Sequence, residues 1–146
     1  MKSAAKLTAF AAAFAFLGTA AQAAPAVSLD SAVFVERAAP AGRLLQPAND
    51  LNRGDRVVYV VNWYKLGGEG GFVVTNPLPR SVYYQGSANG DEEVSIDGGR
   101  SWGKLGILRA GNRIATPEDV THIRWRVDPR TASRGRGRIA YSAIVR

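Results

Sequence analysis

The chain alternates short apolar segments, rich in β-branched and aromatic residues, with turns that contain glycine or proline. No segment keeps the period of about 3.6 residues that marks an amphipathic helix. The 16 glycines and seven prolines are spread through the chain, as many short connections require. Segments of this kind follow one another at roughly 8–12-residue spacing, which predicts an all-β fold, an antiparallel β-sandwich of about 7–9 short strands.

Arg56–Tyr64 carries the strongest strand pattern. Its two alternating sets of side chains are both largely apolar, so we expect a strand in the middle of a sheet. The other expected strands are Val27–Glu36, Leu44–Leu45, Phe72–Thr75, Ser81–Gln85, Glu92–Ile96, Thr121–Val127 and Arg138–Val145, with Gly103–Leu108 as a weak strand or an extended loop. The alternation predicts that one set of side chains points inward between two sheets: Val57, Tyr59, Val61, Trp125, Val127, Ile139, Tyr141 and Val145.

The connections carry their own signals. Gly67–Gly71 is predicted to be a flexible hairpin loop, and Asp97-Gly98-Gly99 is a strong turn signal. Thr116 and Pro117 suit the N-cap and first position of one helical turn. The last two expected strands, Thr121–Val127 and Arg138–Val145, would form an antiparallel hairpin if they paired with each other.

Residues 1–23 have the pattern of a secretory signal peptide. Lys2 and Lys6 precede the apolar stretch Leu7–Leu17, and Ala21-Gln22-Ala23 matches a signal peptidase site. The alternative is a membrane anchor, which this stretch is too short to form because a span needs about 20 apolar residues. We therefore expect cleavage after Ala23 and a periplasmic or secreted protein, with 24–146 as a single β-sandwich domain.

Composition limits the partners and the chemistry of that domain. The formal net charge is +7, and loss of Lys2 and Lys6 with the leader lowers it to +5. The chain has no cysteine, so packing rather than disulfides must stabilise it. We expect no transmembrane segment in the mature chain. No nucleic acid is expected as partner either, because no recognised nucleic-acid-binding motif accompanies the arginines.

Several motifs occur in the order found in one bacterial family. Asn52–Tyr59 resembles the opening strand of the surface-repeat domain known as domain of unknown function eleven. The later motifs that resemble this family are Val74–Pro79, Tyr84–Ala88, Ser95–Gly99, Val120–Trp125 and Gly137–Tyr141. The resemblance covers about residues 27–146, nearly the whole mature chain. It implies an immunoglobulin-like sandwich in an exported or cell-envelope protein, with no known catalytic residues.

Ser95–Trp102 matches the pattern Ser-x-Asp-x-Gly-x-x-Trp, the Asp-box of sialidases and related propellers. In that motif Asp97 can accept hydrogen bonds from turn amides, and Trp102 packs beneath the turn. A propeller needs several blades of about 40 residues, and this chain has the motif for one. The motif therefore favours a stabilised hairpin turn over an enzyme.

Potentially reactive side chains are few. His122 is the one histidine, and no local signature places a nucleophile beside it, so we expect a residue of a sheet face. Asp91, Glu92 and Glu93 form an acidic cluster that could bind Ca²⁺, although consecutive strand residues point to opposite faces. A solvated loop is the preferred interpretation. No catalytic residue, cofactor or metal site is expected, and the protein is not expected to be an enzyme.

The C-terminal third is rich in arginine. If the last two strands paired, Arg124, Arg126 and Arg138 would share an outward face and form a possible anionic-ligand patch. A solvated surface is the alternative. Two functions follow: a non-enzymatic envelope or extracellular interaction module, whose partner is an envelope protein, or a domain that binds carbohydrate or an anionic glycan or lipid. The second would combine these arginines with exposed aromatic residues such as Tyr64, Tyr83 or Tyr84.

Overall fold

The computed structural model describes residues 24–146, so the predicted signal peptide lies outside the described residues. Ten strands follow along the chain: β1 Ala26–Ala39, β2 Gly42–Pro47, β3 Arg56–Gly67, β4 Phe72–Pro77, β5 Val82–Ser87, β6 Glu93–Ser95, β7 Arg109–Ala110, β8 Arg113–Ile114, β9 His122–Val127 and β10 Arg136–Val145. Every pair of neighbouring strands is antiparallel. The prediction of an all-β, antiparallel fold is therefore confirmed.

Five strands form the larger sheet, in the order β2-β1-β3-β10-β5. Strand β3 lies in its centre, as its two apolar faces predict, and pairs with β1 on one side and β10 on the other. Three further strands form a second sheet in the order β4-β9-β6, and β7 and β8 form a separate hairpin.

The two larger sheets pack against each other through one apolar core. Trp125 of β9 contacts Tyr141 of β10 with ring centroids 5.4 Å apart, and Phe72 of β4 meets Trp63 of β3 at 5.1 Å. The inward set predicted from the sequence is confirmed: Val57, Val61, Trp125, Val127, Ile139 and Tyr141 are buried, and Tyr59 and Val145 pack against them. The sheets thus form a sandwich-like pair of layers.

Four details differ from expectation. Residues 24–146 form ten strands rather than about seven to nine, because the two-residue strands β7 and β8 carry no periodic pattern. Gly67–Gly71 is not a hairpin loop, since β3 and β4 belong to different sheets and the chain crosses between them. Strands β9 and β10 likewise do not pair. Strand β4 runs on to Pro77, because an edge strand tolerates a residue without an N–H.

Two short helical turns connect the strands. The expected turn is a 3₁₀ helix, Pro117–Asp119, in which Asp119 accepts hydrogen bonds from the Thr116 amide and hydroxyl. The helix α1, Pro129–Ala132, was not expected; Asp128 caps it by accepting from the Thr131 amide at 3.0 Å. Among residues 24–146, no helix is long and apolar enough to cross a membrane.

Candidate functional site

The turn at Asp97 is built as the Asp-box pattern predicts. The Asp97 carboxylate accepts from the amides of Arg100 and Ser101 at 3.1 and 2.9 Å, and the Trp102 indole donates to the Gly99 carbonyl at 3.0 Å. Hydrogen bonds from the Ser101 hydroxyl and amide hold the Asp97 pKa well below its usual range. The carboxylate is therefore occupied as an acceptor within the turn, which is a structural role.

The arginines of β9 are held on the outer face of the three-stranded sheet. Arg124 and Arg126 both donate to one oxygen of Glu93, at 2.7 and 3.1 Å. The guanidinium carbon of Arg124 also lies 4.4 Å from the centre of the Trp102 ring, a cation–π geometry. The Arg124 hydrogen bond to Glu93 is the main reason why the pKa of that carboxyl lies below its usual value.

Arg138 lies elsewhere, because β10 belongs to the larger sheet. Its Nε donates to the Asn62 side chain at 3.1 Å, on the outer face of the larger sheet. The hairpin that would have placed Arg138 beside Arg124 and Arg126 is therefore wrong. Neighbours along the chain need not pair: Arg138 lies opposite Asn62 of β3, while Arg126 lies opposite Val73 of β4.

The acidic cluster does not converge. Glu92 is buried and accepts hydrogen bonds from the hydroxyl groups of Tyr84 and Ser87, whereas Glu93 faces the β9 arginines. Burial opposes ionisation of Glu92, but the bonds from Ser87 and Tyr84 outweigh it and lower its pKa. Within the described chain, no group of three or more histidine, cysteine or acidic side chains is placed to hold a metal ion.

His122 lies on the face of β9 opposite to Ile123 and Trp125, as its position in the alternation predicts. Its Nδ1 is 3.1 Å from the Thr121 hydroxyl, and its ring meets Trp102 edge-on at 6.5 Å. Asp119, the acid nearest in sequence, pairs with Arg113 at 2.7 Å. The geometry thus assigns both side chains to local packing.

The three tyrosines considered for carbohydrate binding do not form one platform. Tyr84 is buried, and its hydroxyl donates a hydrogen bond to the Glu92 carboxylate. Tyr64 is 42% exposed opposite Arg136 at the start of β10, whereas Tyr83 lies opposite Ile144 near its end. At about 3.3 Å per residue these positions are roughly 26 Å apart. A glycan ring could therefore stack on one of them, but not on a contiguous surface.

Two surfaces of the larger sheet are incompletely covered, and sequence reasoning missed both. The first is the β1–β2 wing, defined here by Leu29, Val33 and Leu44. Register places Val33 opposite Tyr59 and Leu29 opposite Trp63, on the core-facing side of the sheet. The three wing side chains nevertheless stay 49%, 37% and 51% exposed. The strand register places these three side chains on the core-facing side, and the smaller sheet is too narrow to cover them.

The second surface is the edge cleft, a recess of about 350 Å³ between the two sheets, where β5 and β6 are too short to cover β10 and β9. Its lining includes the buried Trp63, Trp125 and Ile139 and the exposed Arg126 and Arg138. Two of the three arginines singled out from the sequence thus border one recess, Arg126 from the smaller sheet and Arg138 from the larger.

Comparison of the chain with protein-family models, with curated proteins and with solved structures finds no match.

Proposed function

We propose that this protein is an exported, non-enzymatic immunoglobulin-like module that acts through surface contacts in or near the cell envelope. The signal-peptide pattern of residues 1–23 supports export. The ordered motifs that resemble those of the bacterial surface-repeat domain support the fold assignment and the envelope location, and two packed antiparallel sheets are compatible with that fold.

The β1–β2 wing is the observation that carries the contact function. Apolar side chains on the core-facing side of a sheet are normally covered, and exposed apolar patches on soluble proteins commonly mark interaction sites. Leu29 and Leu44 are each about half exposed on that side, at the two ends of a row roughly 26 Å long in which Val33 lies midway. The candidate reactive groups, in contrast, are engaged in turns, caps, ion pairs or hydrogen bonds from buried hydroxyl groups: Asp97, Asp119, Asp128, Glu92 and Glu93.

The location is tested by the mass of the exported protein. Because Ala21 and Ala23 provide the small residues that signal peptidase requires, we expect a periplasmic or secreted product that begins at Ala24. Intact protein of residues 1–146 recovered from the membrane fraction would contradict the proposed export.

The contact function is tested with the double variant Leu29→Ser/Leu44→Ser. We expect tagged wild-type protein, cross-linked in its own exported fraction, to retain a partner that the double variant loses, because the substitutions remove half-exposed apolar surface without opening the core. Ile107→Ser is the control, since Ile107 is 75% exposed in a loop outside the wing. Equal retention by all three proteins would refute a contact through the wing.

A further inference from the structure

We propose that the edge cleft binds an extended peptide segment of a partner protein, which adds a strand beside the first half of β10. The expected segment alternates acidic residues, pointing outward, with apolar residues, pointing into the recess. This surface lies on the opposite side of β3 from the wing, so the inference goes beyond the proposed function and does not depend on it.

The first support is an incomplete ladder. Strand β10 pairs with β3 along Arg136–Ile144, but its pairing with β5 begins only at Tyr141. Within residues 24–146, therefore, no strand pairs with residues 136–140 along the edge of β10 that lies away from β3. The smaller sheet has a gap at the same place, because β6 pairs with 122–124 of β9 and leaves 125–127 with a neighbour only on the β4 side.

At this gap, the backbone N–H and C=O groups of alternate β10 residues point away from β3, into the gap. The Gly135 carbonyl accepts a hydrogen bond from the Lys65 amide at 2.8 Å, and the Val145 amide donates to the Asp55 carbonyl at 2.9 Å. The backbone N–H and C=O groups of the odd-numbered residues of β10 therefore point toward β3. Sides alternate along an antiparallel ladder, and each residue directs its N–H and C=O to one side. Arg136, Arg138 and Ala140 therefore direct theirs toward the gap, at the spacing that an added strand matches.

The side chains define what that strand must carry. Directly opposed residues on paired strands share a face, so a residue opposite Arg136 or Arg138 would lie beside a guanidinium on the outer face. Among residues 24–146, Arg136 forms no ion pair, and Arg138 donates from Nε alone. Two uncompensated arginines in one row favour acidic residues at the alternate positions of the partner.

The other positions of the added strand would face inward. They lie opposite Gly137, which has no side chain, and Ile139, which is buried at the recess with Trp63 and Trp125. The recess of about 350 Å³ falls within the usual range of about 300–1,000 Å³ for ligand pockets. Its lining holds two acids: Asp128, which is occupied in capping α1, and Asp91, which is exposed. Apolar side chains of moderate size fit this inner row.

The test uses the purified protein and a synthetic peptide, acetyl-Glu-Val-Glu-Val-Glu-Val-amide, at low salt. We expect saturable binding, followed by tryptophan fluorescence, and slower hydrogen exchange of the Arg136 and Arg138 amides by about tenfold or more, because both amides gain acceptors. Arg136→Glu/Arg138→Glu is expected to weaken binding about tenfold or more, since it places like charges opposite each other. The control Arg80→Glu/Arg109→Glu makes the same charge change at exposed sites outside the recess and should bind like wild type.

Two further probes separate strand addition from simple charge attraction: a peptide of the same composition in the order Glu-Glu-Glu-Val-Val-Val, and dextran sulfate. Equal binding of all three probes would overturn the inference in favour of an anionic-polymer surface. Absence of saturation, or unchanged exchange at Arg136 and Arg138, would overturn it as well. The wing and the edge cleft are tested independently: Leu29→Ser/Leu44→Ser is expected to bind the peptide like wild type. A failure of the peptide experiment therefore does not bear on the proposed contact through the wing.

Discussion

Replacement of Trp125 by alanine is expected to lower the free energy of unfolding by about 3–5 kcal/mol, the usual cost of removing a large aromatic side chain from a core. Trp125 is 7% exposed and lies between the sheets, with its ring 5.4 Å from that of Tyr141. A single domain is stable by only about 5–15 kcal/mol, so this loss removes a large share of the total. Urea denaturation monitored by circular dichroism measures it.

Tyr64→Ala is the matched control for that experiment. Tyr64 is also an aromatic residue on a strand, but it is 42% exposed on the outer face of the larger sheet. We expect its loss to change the free energy of unfolding by less than about 1 kcal/mol, because Tyr64 lies outside the core cluster and its removal leaves no cavity between the sheets. A Trp125→Ala protein as stable as the Tyr64→Ala protein would show that the assignment of the core face is wrong.

Gly137→Ala is expected to lower the free energy of unfolding by about 2–3 kcal/mol, because it overpacks the core rather than opening a cavity in it. A Cβ at this position would lie 2.3 Å from Cζ2 and 2.5 Å from Cε2 of Trp63. Trp63 is 2% exposed and packs edge-on against Phe72, so its ring must be displaced from this contact to admit the added methyl group. Residue 137 is also paired with Trp63 across the two strands, which limits any shift of the backbone.

The control for this substitution is Gly67→Ala, at the end of β3. A Cβ there has no heavy atom within 4 Å, so alanine is expected to be neutral or slightly stabilising through reduced entropy of the unfolded chain. Thermal unfolding of the two variants should therefore diverge. If Gly137→Ala unfolds at the same temperature as Gly67→Ala, Trp63 does not pack on the backbone of β10 as described.

Local pattern was sufficient for the strands and for the direction of their side chains. In Thr121–Val127 the alternation of apolar and polar residues predicted both the strand and its buried face, and in Arg56–Tyr64 two largely apolar faces predicted a central strand. The Asp97 turn and the capped turn at Thr116 were predictable for a similar reason, because a few neighbouring residues supply all the hydrogen bonds. Strands β7 and β8 were missed, since two residues are too short to show a period.

The sequence alone therefore determined the fold class, the central position of β3 and the composition of the core, because these depend on hydrophobic periodicity within short segments. Only the tertiary structure decided which strands are neighbours: Arg138 lies opposite Asn62, far away along the chain, instead of beside Arg126. Strand pairing is a non-local choice, made by the packing of two whole sheets rather than by adjacent residues. The same pairing leaves two surfaces uncovered. The wing is exposed because the larger sheet has more strands than the smaller one, and the edge cleft is open because β5 and β6 pair with only part of β10 and β9.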